Sequence, residues 1–297
     1  MSIFPTRVLF ATDGSKDAEL AATTAVGLAK VTGSELHLVH VGPVVPEHFE
    51  PTEAEPARMK REAERILDEQ TKKVENMGGA AQSHIAMGGA AERVVALAEE
   101  LGADLVVMGS RGRGPIKRLL MGSVSDSVVR HAHCPVLVVR WKPVVFPARI
   151  LLATDGSEEA ELAASTVAEL AETTGSELHV AHVGRLVTNG GSRGVEVGPL
   201  PTVPQEELDR EARELLEVQV ERLRAAGASV AQTHLRRGRA DQQTIVVAEE
   251  SNIDLIAMGS RGLGGLRRVL LGSVSDSVVR HAHCPVLVVR KDREKAV

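Results

Sequence analysis

The chain of 297 residues is poor in aromatic side chains, which make up 2% of it: four Phe, one Trp and no Tyr. Its cores must therefore be aliphatic, built from strand Val and helix Ala and Leu within a hydrophobic content of 43%. Cysteine is almost absent too. Cys134 and Cys284 each stand before a Pro-Val-Leu-Val-Val run, which excludes a disulfide framework and reads as buried thiols entering strands. A basic excess is missing: the formal net charge is -5, against a general nucleic-acid or anionic-membrane binder. No apolar run approaches the ~20 residues that cross a bilayer. The opening MSIFPTRVLF shows no secretory signal, so a cytoplasmic location is expected, with neither membrane nor nucleic acid as partner. Gly-x4-Gly-Lys-Ser/Thr is absent, as is Gly-x-Gly-x-x-Gly after the first strand, which leaves P-loop NTPases and Rossmann dehydrogenases unsupported. No Ser-His-Asp or Cys-His set can be assembled.

What is present is present twice. GSVSDSVVRHAHCPVLVVR runs from Gly122 to Arg140 and again, letter for letter, from Gly272 to Arg290. MGSRG precedes each copy (Met108 to Gly112, Met258 to Gly262), and ATDGS opens each half (Ala11 to Ser15, Ala153 to Ser157). Two domains follow, 1–142 and 148–297, joined by the short linker Trp141 to Ala148. ATDGS recurs after 142 residues but MGSRG after 150, so the second half has gained length, most simply in the Gly/Pro-rich stretch Gly184 to Pro204.

Hydrophobic runs alternate with helical periodicity throughout. The first half reads as strands Arg7–Asp13, Glu35–Val41, Gln82–Met87, Asp104–Gly109 and Pro135–Arg140. Between them lie helices Ser15–Val31, Glu53–Met77, Ala90–Leu101 and Ser123–His131; the second half repeats the order. This is an α/β chain with two tandem, doubly wound, open parallel five-stranded sheets of flavodoxin or Rossmann-like type. The two Val/Leu edge strands are tethered to each other. PVLVV of one half should pair antiparallel with PVLVV of the other or of a partner chain, giving an intramolecular pseudo-dimer or a homodimer.

The chemistry gathers after strand four. Gly109, Gly112 and Gly122-Ser123 are spaced as Gly259, Gly262 and Gly272-Ser273, and glycines there allow close ligand approach. Ser123, Val124 and Ser125, like Ser273, Val274 and Ser275, open a helix whose free N–H groups favour phosphate, with serine hydroxyls as further donors. The loop between is basic, with Arg111, Arg113, Lys117 and Arg118 in one copy and Arg261, Arg267 and Arg268 in the other, which suits a polyphosphate. Asp13 and Asp155 end strand one beside the same crevice, where each can orient a ribose hydroxyl or a phosphate-bound Mg²⁺, or else cap the first helix. The run His131-Ala132-His133-Cys134 has the look of metal ligands, but no complement completes it, and histidine at a helix C-terminus suits the dipole.

On these residues the chain resembles a tandem universal stress protein of the ATP-binding subgroup, whose Gly-x2-Gly-x9-Gly-Ser/Thr motif is matched twice. The resemblance spans almost the whole chain, with the first-strand Asp, the His-Val pairs His40-Val41 and His182-Val183, and the closing Pro-Val-Leu-Val-Val. It implies an adenine nucleotide α-hydrolase-like fold and ATP as ligand, with Mg²⁺ carried by the phosphates. Val41 and Val183 would touch adenine, Asp13 and Asp155 face the nucleoside, Met108 and Met258 border the site, and Gly122 to Ser125 with Gly272 to Ser275 hold phosphates. The function implied is a nucleotide-dependent stress-response regulator with one site per domain, at most slow hydrolysis, and regulatory protein partners. The alternatives are an enzyme acting at the α-phosphate of ATP and a dimer module that no longer binds ligand.

Overall fold

In the computed structural model, the described residues are 4–43, 54–112, 121–186, 204–263 and 271–290. In the first half strands β1 (Arg7–Thr12), β2 (Glu35–Gly42), β3 (Gln82–Met87), β4 (Leu105–Gly109) and β5 (Val136–Val139) alternate with helices α1 (Lys16–Thr32), α2 (Ala54–Asn76), α3 (Ala90–Leu101) and α4 (Ser123–His131). The second half repeats this with β6 (Arg149–Ala153), α5 (Glu158–Thr174), β7 (Glu177–Gly184), α6 (Gln205–Ala225), β8 (Val230–Arg237), α7 (Ala240–Glu250), β9 (Leu255–Gly259), α8 (Ser273–His281) and β10 (Val286–Val289). Of the Gly/Pro-rich stretch Gly184 to Pro204, expected to be a long loop, residues 187–203 lie outside the described residues, as do 113–120 and 264–270.

All ten strands form one sheet, ordered β3-β2-β1-β4-β5-β10-β9-β6-β7-β8. Pairing is parallel within each half, and the halves meet through the antiparallel pair β5–β10, with Val136 opposite Val288, Leu137 opposite Leu287 and Val138 opposite Val286. The two expected five-stranded sheets are thus fused edge to edge within the chain. Their Val and Leu residues are all at most 2% exposed, so neither hydrophobic edge faces water. Strand burial falls outward: β4 and β5 are wholly buried, while the outermost strands β3 and β8 hold no buried residue.

The crossovers cover both faces, as parallel strands require. Helices α1, α2, α5 and α6 pack on one face around Val8, Phe10, Leu38 and Leu152, and α3, α4, α7 and α8 on the other around Leu9, Val106, Val128 and Ile256. The charged helix α2 turns its Ile66, Leu67 and Val74 inward and leaves its alternating charges in water. Helix α1 starts where Ser15 Oγ accepts from the Ala18 amide and stops at Gly33, whose φ of 72° is left-handed; α5 does the same with Ser157 and Gly175.

Across the junction, α4 and α8 carry a four-membered ion-pair ring. Asp126 and Arg130 are paired within α4, Asp276 and Arg280 within α8, and Arg130 Nη2 reaches Asp276 Oδ1 at 2.7 Å while Arg280 Nη2 reaches Asp126 Oδ1 at 2.6 Å. The arginines ending β5 and β10 also cross over: Arg140 donates to Arg280 O and Arg290 to Val129 O, each near a helix C-terminus that favours a cation. The linker is fastened to both halves, by Lys142 Nζ on Asp254 Oδ1 (2.9 Å) and by the Val144 amide on Thr24 Oγ1 (2.9 Å).

Candidate functional site: two crevices at the strand carboxyl ends

Strands β1 and β4 are parallel neighbours, with Ala11 opposite Met108, yet their chains leave on opposite faces, β1 into α1 and β4 towards α4. The strand order reverses there, and the carboxyl ends part into a crevice where open α/β sheets take ligands. Strands β6 and β9 repeat the arrangement, with Ala153 opposite Met258.

The crevice floor is held by the chain itself. A β-carbon at Gly109 would stand 2.7 Å from Asp17 C and 2.8 Å from Ala18 N, and one at Gly259 would stand 2.8 Å from Glu159 C. These glycines let the first helix press its N-terminal turn onto the end of strand four. At Gly112 and Gly262 the blocking atom is a carboxylate: a β-carbon would lie 2.5 Å from Asp13 Oδ2 and 2.2 Å from Asp155 Oδ2. The motif glycines therefore bring Asp13 and Asp155 against the loop after strand four. Neither aspartate caps the helix, a task done by Ser15 and Ser157. Instead Asp13 Oδ1 accepts from the Ser15 amide at 3.0 Å, and Asp155 accepts from the Ser157 and Leu263 amides, both at 3.0 Å.

Helices α4 and α8 open differently from α1 and α5. Their N-caps are Gly122 and Gly272, with no side-chain cap among the described residues. The cap amides donate to Ser110 O and Ser260 O, and the first intrahelical bonds run from Asp126 N to Gly122 O and from Asp276 N to Gly272 O. The amides of Ser123, Val124 and Ser125, and of Ser273, Val274 and Ser275, precede the first bond and point out of the helix at its positive end. Ser123 and Ser273 are exposed there, so their hydroxyls can join a ligand's oxygens.

Two expectations are corrected. The hydroxyls of Ser125 and Ser275 turn inward, donating at 2.8 Å to Ser110 O and to Gly259 O, so only their amides are left at the helix opening. The Arg111 and Arg261 guanidiniums are already countered. Arg111 Nε sits 3.0 Å from Asp17 Oδ2 with the Trp141 ring centroid 5.1 Å from its Cζ, and Arg261 Nε sits 2.7 Å from Glu159 Oε1. Both arginines shape the loop by gripping the first helix, because a half-buried cation beside a buried carboxylate pairs with it rather than with solvent. The β-carbon direction at Gly122 also points to the chain, 3.3 Å from Ser110 O, rather than into open space. The basic residues Arg113, Lys117, Arg118, Arg267 and Arg268 fall outside the described residues.

Met108 and Met258 lie buried beneath the crevices, and Val41 and Val183 stand half-buried near the ends of β2 and β7. His40 Nδ1 donates to Thr12 O and His182 Nδ1 to Thr154 O, both at 2.8 Å, which ties strand two to the end of strand one as a packing role requires. His131 Nδ1 bonds Ser127 O, the buried Cys134 and Cys284 are not joined in a disulfide, and no group of three or more potential metal ligands occurs among the described residues. Burial pushes the Cys284 thiol up to about 12, so it is not a reactive thiolate.

The anchoring set was not read from the sequence. Ser110 Oγ bonds Asp17 Oδ2 at 2.8 Å, Ser15 Oγ reaches Arg111 O at 3.1 Å, and Ser260, Glu159 and Ser157 repeat both links. The acids at Asp17 and Glu159 carried only the signal of an ordinary first-turn carboxylate.

Two stretches of this chain, 5–140 and 148–290, match the universal stress protein family model. The chain belongs to the universal stress protein family. A universal stress protein of Mycolicibacterium smegmatis is 30% identical across 95% of this chain and 96% of its own length. Universal stress protein Rv2623 of Mycobacterium tuberculosis is 29% identical across 96% of both. Rv2005c of the same organism is 36% identical over 197 residues, a match that spans 62% of that protein. Among solved structures, a universal stress protein from Archaeoglobus fulgidus superposes with a TM-score of 0.73 at 27% identity, covering 97% of each chain. The tandem, two-domain α/β organisation is therefore a family architecture. No helix among the described residues is long and apolar enough to cross a membrane.

Proposed function

We propose that this universal stress protein binds one ATP in each half, with Mg²⁺ carried by the phosphates, and acts in the cytoplasm as a nucleotide-dependent stress-response regulator read by partner proteins. The observation that carries this reading is the pair of uncapped helix openings at α4 and α8, each set at a strand-order reversal where backbone donors and the helix dipole favour phosphate. Asp13 and Asp155, each held against the facing loop, supply the carboxylate for ribose or for a phosphate-bound cation. Nothing among the described residues offers a buried base aimed at an attacking water, so the reading is of binding with at most slow turnover.

Isothermal titration of the full chain with Mg-ATP tests it: two nucleotides per chain are expected, and none overturns it. Gly122→Val should remove one of the two, since a β-carbon there would stand 3.3 Å from Ser110 O and its branches would displace the helix opening. Hydrolysis at roughly 1 per second or faster in a single-turnover assay would overturn the regulatory role in favour of an enzyme.

A further inference from the structure

In the first half an open groove of about 280 Å³ joins the N-terminal turn of α3 to that of α4, lined by Gly89, Ala91 and Glu92 on one side and Ser123, Val124 and Ser127 on the other. The phosphate-binding opening of α4 is thus one wall of a space whose other wall carries the Glu92 carboxylate. The next residue, Arg93, is turned away. Its Nε bonds Met87 O, and its side chain lines a separate groove by His84 and Glu100 at the sheet edge.

In the second half the lone carboxylate gives way to an ion pair. Gly89, Ala91 and Glu92 correspond to Arg239, Asp241 and Gln242. Asp241, 8% exposed, is the inner member of a network: it accepts from Ser277 Oγ on α8 at 2.7 Å and from Arg239 Nη2 at 2.9 Å. Ser277 is one helical turn from Ser273, so this network stands beside the α8 opening. The Arg239–Asp241 pair is neutral as a unit, but its charges lie at different depths. The Asp241 side chain is 11% exposed, whereas that of Arg239 is 69% exposed, and by its correspondence with Gly89, which lines the first-half groove, Arg239 stands on the wall that faces the α8 opening.

We propose that the two halves sort nucleotides by phosphate charge: the second-half site prefers the triphosphate through Arg239, and the first-half site, faced by Glu92, discriminates little between triphosphate and monophosphate. The inference rests on the nucleotide-binding reading and names the specificity-determining residue within it. With the nucleotides free of Mg²⁺, a cation on that wall attracts the fourfold-negative tail of ATP more than the doubly negative AMP, and a carboxylate there offsets the advantage that the longer tail has at the helix opening.

The test is calorimetric titration of the full chain, in chelator and at low salt, with Mg²⁺-free ATP and, separately, AMP, for wild type, Arg239→Gly, Arg239→Gln and Glu92→Gln. Wild type should give two ATP phases of unequal affinity. Both Arg239 variants should weaken the tighter ATP phase about fivefold while shifting AMP less than twofold, and Glu92→Gln should strengthen the weaker ATP phase about threefold. The inference is overturned if Arg239→Gln leaves the ATP-to-AMP ratio of both phases unchanged, or weakens AMP as much as ATP. Two nucleotides bound by wild type with either of those results sinks the sorting and keeps the sites; no nucleotide bound by wild type sinks the sites themselves.

Discussion

Between Gly122 and Arg140 the first half is the second half letter for letter, and the two stretches fold alike; between Gly88 and Arg93, against Gly238 and Gln243, only two of six residues agree. The difference follows what each stretch touches. The identical segment supplies Asp126, Arg130, Arg140 and β5, which meet Asp276, Arg280, Arg290 and β10 across the pseudo-two-fold junction. A self-complementary surface has to suit its own copy, so a change on one side must be met by the other. The turn before α3 and α7 meets no counterpart and is free to hold a carboxylate in one half and a guanidinium in the other. The loop anchors sit between these extremes: Asp17 and Glu159 differ in length yet grip the same arginine and serine.

The strongest way to break the comparison is through what both halves share. Gly109→Val and Gly259→Val each place a β-carbon within 2.8 Å of helix backbone, which cannot swing aside as a side chain can. Each should cost about 3 kcal/mol by urea unfolding. A large cost in one half only would show that the two crevice floors are not equivalent. Next comes the junction. Asp126→Asn or Asp276→Asn leaves two guanidiniums facing one carboxylate, at a side-chain exposure of 27% and 30%, and should cost about 1 to 2 kcal/mol each. The double variant should depart from additivity, because both acids share both arginines. The Arg130 hydrogen bond holds the Asp126 carboxyl below its ordinary 3.8. Its contribution is therefore complete above that pH and is lost as pH falls from there through the lower folded value, so the double-mutant coupling should vanish in strong acid.

The sequence carried the fold further than the site. Spans Gln82–Met87, Ala90–Leu101 and Ser123–His131 were legible to the residue, since Gly and Ser mark their ends and their periods are unmixed. Strand five is shorter than Pro135–Arg140 because proline has no N–H for the ladder and Arg140 instead bridges Lys142. The β5–β10 pairing was legible as well, because two tethered Val/Leu edges have no better cover. The fate of Arg111 was not. Its partner Asp17 lies 94 residues away, and a basic loop looks the same whether it awaits a phosphate or holds a helix. The contrast between Glu92 and Arg239 was missed because neither stands out at the start of its own helix; it appears only when α3 and α7 are laid beside α4 and α8.

The finest distinction between the halves lies in a pair of histidines on the face opposite α1. His37 Nδ1 and His84 Nε2 are 3.0 Å apart, and His179 Nδ1 and His234 Nε2 are 3.1 Å apart. In the second half Glu177 Oε1 completes the row at 3.0 Å from His179 Nε2. In the first, Glu35 is taken by Arg7 at 2.8 Å and stands 3.8 Å from His37 Nε2. Burial first, and then the neighbouring histidine, pulls His84 and His234 below the ordinary 6.5. A histidine lowered in the folded state takes up its proton more readily when unfolded. Stability should then decline as pH drops below about 6.5, the window continuing to each lowered folded value. His84→Gln and His234→Gln should each flatten part of that decline in the melting temperature, by less than the junction variants cost, with half-buried His283, shifted the same way, leaving a residual slope. Glu177→Gln should lower the melting temperature at neutral pH more than Glu35→Gln, because only Glu177 bonds its histidine directly. Equal effects of the two glutamates would mean that the rows work alike in solution, and an unchanged slope in the double histidine variant would mean that neither row titrates differently on folding.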